Sequence, residues 1–213
     1  MSVDHETSAT ALIELQRELS GCTRCAEAGF IREARPVFRG RAGHRRMIVG
    51  QAPGARGHRN GVPWSGTSGD VLRAWFARSG YPPEEFLESW YFTSLTKCFP
   101  GKVAGSKGDR APSAAERKLC APWLTGELAL VRPELIVTLG RLAAEALVPG
   151  ARRLGLGELV GTVWSVDVSW GEIPVVPLPH PSGVSRWLND PVNRALVDGG
   201  LDKLGALRES KGL

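Results

Sequence analysis

The sequence predicts an α/β protein in which helices cover both faces of one mostly parallel central sheet. Two observations lead to this fold class. Short apolar runs alternate with helical patterns along the chain, which is typical of parallel sheets whose strands are connected by helices. The 213 residues contain no internal repeat and no long linker, and one domain can accommodate this length. We therefore expect a single domain over residues 1–213, with 1–11 as a flexible tail.

Each element is predicted from its own pattern. Nearly continuous apolar runs are typical of buried strands, and apolar residues at helical spacing are typical of helices. Ser113 is expected to begin a helix, because Glu116 three residues later completes a capping box. The predicted strands are 45–50, 89–97, 134–140 and two β-rich runs at 159–170 and 173–180, and the predicted helices are 11–19, 67–80, 113–131, 141–148 and 190–208.

The loops that follow the strands are where the sequence predicts a ligand. In an open α/β sheet, ligands bind beyond the carboxyl ends of the strands. The segments GQAPG (50–54), TSLTKC (93–98) and LPHPSG (178–183) lie at the ends of three predicted strands. We expect them to face one another at one edge of the sheet.

The charge of the chain is compatible with a polyanionic partner such as DNA. Lysine and arginine exceed aspartate and glutamate by five, and the sequence pI is about 9.3. Segment 30–46 has six arginines against one glutamate, and segment 99–112 has two lysines and one arginine against one aspartate. Either segment could equally be a solvated basic surface.

Nothing in the sequence predicts a membrane partner or secretion. No apolar run approaches the roughly 18 to 20 residues that span a bilayer. The N-terminus MSVDHETSAT is polar and acidic and lacks the basic and apolar parts of a signal peptide. We therefore expect a cytoplasmic protein.

The four cysteines form one CxxC pair, Cys22 and Cys25, and two single positions, Cys98 and Cys120. Without a secretion signal a disulfide framework is not expected. A redox CxxC normally lies between a strand and a helix, whereas this pair follows a helical pattern. Four thiolates suit a tetrahedral zinc or a [4Fe–4S] cluster, and spacing alone does not choose between them. Four unrelated buried thiols are the remaining alternative.

The loop after the first strand and the end of the last strand together resemble a known family. GQAPGARGHRNGVPWSGTSGDVL occupies 50–72, HPSG occupies 180–183, and the cysteines follow in the order CxxC, Cys, Cys. This joint pattern resembles the iron–sulfur uracil-DNA glycosylases, families 4 and 5 of their superfamily, over about 12–207. The resemblance implies that superfamily's three-layer fold. It also implies a monomeric, monofunctional glycosylase that removes uracil from DNA and leaves an abasic site.

The resemblance also implies roles for individual residues. Gln51 and the backbone carbonyls of the 50–54 loop would hold the hydrolytic water, and Trp64 would stack on the flipped base. His180 would stabilise the departing uracil anion at its O2 oxygen. Cys22, Cys25, Cys98 and Cys120 would ligate a structural [4Fe–4S] cluster. Base contacts are further expected of Gly50, Ala52, Pro53, Gly54, His58 and Ser94, and DNA contacts of Ser68, Ser182, Gly183, Val184, Arg186 and Trp187, the last two as groove or wedge residues.

Two departures from the families bear on the activity. Family 4 has glutamate where this chain has Gln51, and an asparagine that reads the uracil edge near Ser94. Family 5 has an aspartate further along its loop, whereas no acid lies between Gly50 and Gly69 here. The chain thus resembles a mixed or divergent member of the two families. A glycosylase for hypoxanthine, xanthine or a methylated uracil, or a DNA-binding homologue with altered catalysis, are the alternatives.

The chemistry explains why such a loop suits a glycosylase. A base inside a duplex must be extruded into a pocket, at a cost of a few kcal/mol. A loop rich in glycine and proline lets backbone groups approach the base and the water closely. The departing base gains negative charge, and a histidine with preorganised donors stabilises it. The sugar cation is reactive enough that positioning of water by Gln51 suffices.

Overall fold

A computed structural model gives the fold for residues 2–106, 108–182 and 186–213. In these ranges five strands form one sheet with the order β2-β1-β3-β5-β4. The strands are β1 (Arg46–Gly50), β2 (Tyr91–Ser94), β3 (Leu135–Leu139), β4 (Trp164–Val168) and β5 (Gly171–Leu178). The helices are α1 (Ser2–Ser20), α2 (Arg24–Glu27), α3 (Ala55–Asn60), α4 (Thr67–Arg78), α5 (Phe86–Ser89), α6 (Ala114–Val131), α7 (Arg141–Leu147), α8 (Leu156–Leu159) and α9 (Pro191–Lys211).

The sheet is parallel except at one edge. β1 pairs in parallel with β2 and β3, and β3 pairs in parallel with β5. β4 pairs with β5 in the antiparallel direction. β1, β2, β3 and β5 therefore end at the same edge, as the sequence predicts.

Two apolar clusters cover the two faces of the sheet, because successive side chains of a strand point to opposite sides. Ile48 belongs to a cluster with residues of α4 and α9, such as Phe76 and Leu201. Its neighbours Met47 and Val49 belong to the other cluster, with residues of α1, α6 and α7. This arrangement confirms a single three-layer α/β domain.

The element boundaries agree with the sequence patterns in most places. The capping box is present: Ser113 Oγ accepts from the backbone N–H of Glu116, and the Glu116 carboxylate accepts from that of Ser113. The strand predicted over 89–97 is shorter, ending at Ser94. α1 begins at Ser2, so most of the segment 1–11 is helical, and its flexibility stays a prediction.

The loop after β1 contains a helix that the sequence did not predict. α3 is only six residues long, is preceded by Gly54 and ends at Gly61, whose φ of 70° is left-handed. A helix this short has no apolar periodicity to reveal it. None of the helices in the described ranges has the length and apolarity needed to cross a bilayer.

Candidate active site

A cavity of about 740 Å³ opens at the carboxyl edge of the sheet. The 50–54, 93–98 and 178–183 segments all contribute to its lining, so they do face one another. Among the residues expected at the site, those that line it are Gln51, Ala52, Pro53, Gly54, Trp64, Ser68, Ser94, His180 and Ser182. The structure thus brings these side chains together, and the role of each remains a prediction.

The rings of Trp64 and His180 lie against each other in this cavity. Their centroids are 5.6 Å apart, and the ring planes are tilted by 42°. Trp64 follows β1 and His180 follows β5, two strands that β3 separates in the sheet. The imidazole therefore lines a cavity together with the indole and does not point into the apolar interior.

Backbone packing fixes the indole at the site. A Cβ atom at Gly50 would lie 3.3 Å from Trp64 Cζ2 and 3.4 Å from Ser94 Oγ, so the ring packs directly on the end of β1. Trp64 has a left-handed φ of 55°, which is unusual for a bulky residue. Arg73 Nη1 donates to the Trp64 carbonyl at 3.3 Å. Gly69 packs against the same carbonyl, and any Cβ there would be 1.6 Å from the oxygen.

The carbonyl groups of the 50–54 loop are partly used by neighbouring backbone. Gly50 O accepts from Leu95 N at 2.9 Å, and Gln51 O accepts from Thr96 N at 3.2 Å. Gly54 O accepts from His58 N inside α3. This leaves the carbonyls of Ala52 and Pro53, with the side chain of Gln51, as the candidates for holding a water. The expected participation of the Gly50 carbonyl is thereby weakened.

Burial controls the protonation of His180. Removal from solvent lowers the pKa of its imidazole below the usual value of 6.5, and the negative charge of Asp109 acts in the opposite direction. Burial is the larger effect, because it penalises the charged form. At neutral pH the ring is therefore uncharged and can donate one N–H bond.

Ser94 lies at the end of β2 above a buried ion pair. Lys97 Nζ donates to Ser94 O at 2.7 Å and to Glu127 Oε2 at 2.7 Å. Both charged side chains are essentially inaccessible to solvent. Thr93 Oγ1 donates to the same carboxylate at 2.6 Å, and Tyr91 Oη donates to it at 3.2 Å. The network connects the carboxyl end of β2 to α6.

A carboxylate that the sequence did not assign to the site lies in the cavity wall. Asp109 is the only acidic residue among the cavity-lining residues that the structure describes. Its Oδ2 accepts from the backbone N–H of Ala55 at 3.3 Å, and its Oδ1 accepts from Lys102 Nζ at 2.5 Å. The only sequence signal was its presence as a single acid within the basic segment 99–112.

The cavity mouth is basic. Arg56 and Arg59 of α3 line it together with Lys102 and Arg110. The two α3 arginines were not among the residues predicted for the site, although they belong to the loop after β1. Ser68 at the start of α4 and Ser182 also line the cavity. This surface is suited to a DNA backbone, because arginine, lysine and helix N-terminal N–H groups are common phosphate ligands.

Five further residues are expected to contact DNA or the base. Gly183 and Val184 lie outside the described residues. Arg186 is exposed, and Trp187 packs partly against the apolar cluster of α4 and α9, so their roles as groove or wedge residues stay predictions. His58 does not line the cavity: its Nε2 lies 3.3 Å from Glu33 Oε2, and its ring lies 5.6 Å from that of Phe99.

Half of the arginines in segment 30–46 make structural contacts. Arg39 donates to Leu87 O at 3.1 Å, and Arg45 forms two bonds to Glu134 at 2.6 and 2.7 Å. Arg46 lies over the rings of Tyr81 and Trp90. These contacts hold the amino ends of the strands, away from the cavity, which favours a structural role for this part of the segment.

The four cysteines interact with one another. Burial is the main cause that raises the pKa of Cys25 to about 11 and that of Cys98 to about 12, and the other thiols add to both shifts. Such effects require proximity. Lys97 N donates to Cys120 Sγ at 3.4 Å, and the backbone N–H of Arg35 bonds to Cys98. N–H groups directed at sulfur stabilise thiolates, the form that binds metals.

These thiols do not form a compact site for one ion. In the parts of the chain that the structure describes, no three His, Cys, Asp or Glu side chains are grouped to hold a single metal. A zinc site needs each sulfur about 2.3 Å from one centre. A [4Fe–4S] cluster takes one cysteine at each of several irons, so its ligands stand further apart. Four thiolates are a donor set that suits either a zinc ion or a [4Fe–4S] cluster.

Comparison with known proteins agrees with the geometry. The family model of the Uracil DNA glycosylase superfamily matches residues 38–198. The chain is 27% identical over 203 residues to the type-4 uracil-DNA glycosylase of Archaeoglobus fulgidus, covering 92% of this chain and 93% of that protein.

Pyrobaculum aerophilum has similar proteins of both types. Its type-4 uracil-DNA glycosylase is 29% identical, covering 66% of this chain and 67% of its own length. Its type-5 enzyme is 34% identical, covering 47% of this chain and 46% of its own length. Similarity to both types agrees with the mixed motif of the 50–69 loop. Because the family model matches well over half of the chain, the protein belongs to the uracil DNA glycosylase superfamily.

Proposed function

We propose that the protein hydrolyses the N-glycosidic bond of uracil in DNA and leaves an abasic site. The observation that carries this proposal is the pairing of Trp64 and His180, whose rings lie 5.6 Å apart in one cavity although they come from distant segments. Membership in the superfamily and the relatives named uracil-DNA glycosylases support it. The cavity volume of about 740 Å³ is within the usual range for small-molecule pockets.

Different residues of the cavity act on the departing base and on the attacking water. The bond between C1′ of the sugar and the base nitrogen breaks, and its electron pair goes to the base. His180, uncharged at neutral pH, donates its N–H to the base oxygen on which negative charge develops. Such a preorganised donor is worth about 2.7 to 4 kcal/mol in comparable oxyanion sites. Gln51 and the carbonyls of Ala52 and Pro53 orient the water that forms the new bond to C1′, and the proton that this water releases neutralises the departed base anion.

A single-turnover assay tests this proposal. The protein is incubated with an oligonucleotide containing one uracil, single- or double-stranded, and abasic sites are then cleaved with alkali. We expect uracil-dependent strand cleavage, and a decrease of at least about a hundredfold for His180→Ala. His5→Ala is the matched control. Binding of the oligonucleotide without excision of any base would contradict a glycosylase.

Ser94 favours a second candidate, a glycosylase that prefers another deaminated base. An asparagine amide presents a fixed donor and acceptor, whereas a serine hydroxyl rotates to serve as either. Ser94 Oγ lies close to the Trp64 ring and can meet different base edges. The same assay with hypoxanthine, xanthine and 5-methyluracil separates the candidates, since cleavage restricted to one of these bases would replace uracil as the substrate.

We further propose that Cys22, Cys25, Cys98 and Cys120 hold a [4Fe–4S] cluster with a structural role. The mutual influence of the thiols and the N–H groups directed at Cys98 and Cys120 support this assignment. We expect anaerobically purified protein to be brown and to contain about four irons and four sulfides per chain. Cys120→Ala should lose the colour and unfold at lower temperature. Colourless protein with one zinc per chain would contradict the cluster.

A further inference from the structure

Among the lining residues that the structure describes, Asp109 is the one negative charge, and the others are neutral or basic. Among the described lining residues, the charged groups are Asp109, Arg56, Arg59, Lys102 and Arg110. The loop that follows β1 carries no acid between Gly50 and Gly69. A reaction that develops positive charge on the sugar would therefore have no carboxylate near it if only this loop supplied the site.

The structure places the Asp109 carboxylate against the end of the 50–54 loop. A Cβ at Gly54 would lie 3.3 Å from Asp109 Oδ2, and the same oxygen accepts from Ala55 N at 3.3 Å. Gln51, Ala52 and Pro53, which precede these two residues, line the same cavity. Asp109 is thus next to the segment that would hold the water.

The carboxylate is also close enough to His180 to act on it electrostatically. The side chain of Asp109 keeps about one third of its surface accessible to solvent, so a ligand in the cavity can approach it. Lys102 is bound to the other carboxylate oxygen at 2.5 Å. Oδ2 is thus the carboxylate oxygen that contacts the end of the 50–54 loop.

We propose that Asp109 supplies, from the 99–112 segment, the negative charge that the loop after β1 lacks, and that it stabilises the cationic sugar while the base departs. This inference rests on the proposed glycosylase function. The carboxylate forms no covalent bond in this role. It lowers the energy of the positive charge that develops at C1′ when the electron pair leaves with the base.

The substitution Asp109→Asn tests the charge of the side chain separately from its hydrogen bond to the loop. The amide oxygen can still accept from Ala55 N, whereas the negative charge is lost. At saturating enzyme we expect single-turnover excision of uracil to fall about ten- to a hundredfold, as for one charge several ångströms from a developing charge at an effective dielectric of about 20. Asp109→Ala should fall similarly. Asp167→Asn, which changes an exposed acid of β4, is the matched control.

An NMR titration of His180 provides a readout that does not depend on activity. Asp109 raises the pKa of His180, so Asp109→Asn should lower that pKa further, and Asp167→Asn should leave it unchanged. An unchanged pKa in Asp109→Asn would show that the carboxylate does not face the imidazole, and would overturn the inference.

The kinetic outcomes distinguish this inference from the proposed function. If wild-type protein excises uracil and Asp109→Asn matches its rate, only the role of Asp109 is refuted. If Asp109→Asn is normal and Asp109→Ala is slow, the residue positions the loop through its hydrogen bond, and the charge role is refuted. If the wild-type protein excises no base, the proposed function fails and the role of Asp109 fails with it.

Discussion

At the scale of single residues, the site depends on two rings held by different means. His180 is placed by the end of β5, beside Gly140, whose Cβ, if present, would lie 3.5 Å from that of the histidine. Trp64 is placed by a left-handed backbone conformation that Gly69 and Arg73 support through the same carbonyl. The position of the imidazole is thus set by the end of β5, whereas the position of the indole is set by the loop after β1.

Replacement of the indole tests whether it receives a base. Trp64→Ala should weaken binding to uracil-containing DNA by about 1–3 kcal/mol, the usual contribution of stacking on one base. Trp64→Phe keeps an aromatic face and should retain most of the affinity. Fluorescence anisotropy with uracil-containing and abasic oligonucleotides measures the effect, which should be confined to the former. Equal losses on both oligonucleotides would show that the ring does not contact the base.

The residue scale also shows where sequence interpretation succeeds and fails. Gln51, Trp64 and His180 were expected at the cavity that they line because they belong to contiguous motifs that follow strands. Asp109 was not, because it contacts Ala55 across 54 positions of the sequence. An aromatic residue in a polar loop looks exposed in the sequence, and only the fold shows that Trp187 packs partly against the apolar cluster of α4 and α9.

At the scale of elements, the buried pair of Lys97 and Glu127 connects β2 to α6. Their side chains are 1% and 0% accessible, and the carboxylate receives bonds from Lys97, Thr93 and Tyr91. Because Lys97 also donates to Ser94 O and immediately precedes a cysteine, the pair supports the cavity and the cysteine group together. Sequence patterns do not reveal it, since lysine and glutamate are almost always exposed.

Removal of one partner should therefore be costly. Lys97→Met leaves the Glu127 carboxylate buried without its cation, and we expect the free energy of unfolding to fall by about 3–5 kcal/mol. The double variant Lys97→Met/Glu127→Leu should recover much of this loss, because no uncompensated charge remains. Urea denaturation measures both, with Lys118→Met on the exposed face of α6 as the control. Additive losses in the double variant would show that the two side chains do not interact.

Close packing at Gly69 constrains the beginning of α4. Since any Cβ at this position would be 1.6 Å from Trp64 O, Gly69→Ala must displace the loop or the helix. We expect a loss of stability of about 1–3 kcal/mol, as for overpacked sites, together with weaker binding of uracil-containing DNA. Gly199→Ala in α9, where no atom lies within 4 Å, should be neutral or stabilising. Normal melting and binding of Gly69→Ala would contradict the close contact with Trp64.

At the scale of the whole molecule, the sequence predicts the layers of helices and sheet better than it predicts the distribution of charge on the surface. Nearly continuous apolar runs in β1 and its neighbours indicate a sheet covered on both faces, and this pattern is visible in the sequence. The distribution of positive charge is not, because it depends on which loops fold toward the carboxyl edge. Segment 30–46 has the highest arginine content, yet Arg39, Arg45 and Arg46 contact other structural elements. Arg56 and Arg59 line the cavity instead.

This distribution predicts which arginines bind the DNA backbone. Each phosphate contact contributes about 0.9 to the slope of log K against log salt concentration on duplex DNA. Arg56→Ala/Arg59→Ala should therefore weaken binding and reduce the magnitude of this slope by about 1.8 if both contact phosphates. Arg152→Ala/Arg153→Ala removes two exposed arginines that follow α7, which leads away from the carboxyl edge, and should leave the slope unchanged. Titrations of labelled duplex at several salt concentrations measure both slopes, and equal slopes for the two variants would place the DNA backbone on another surface.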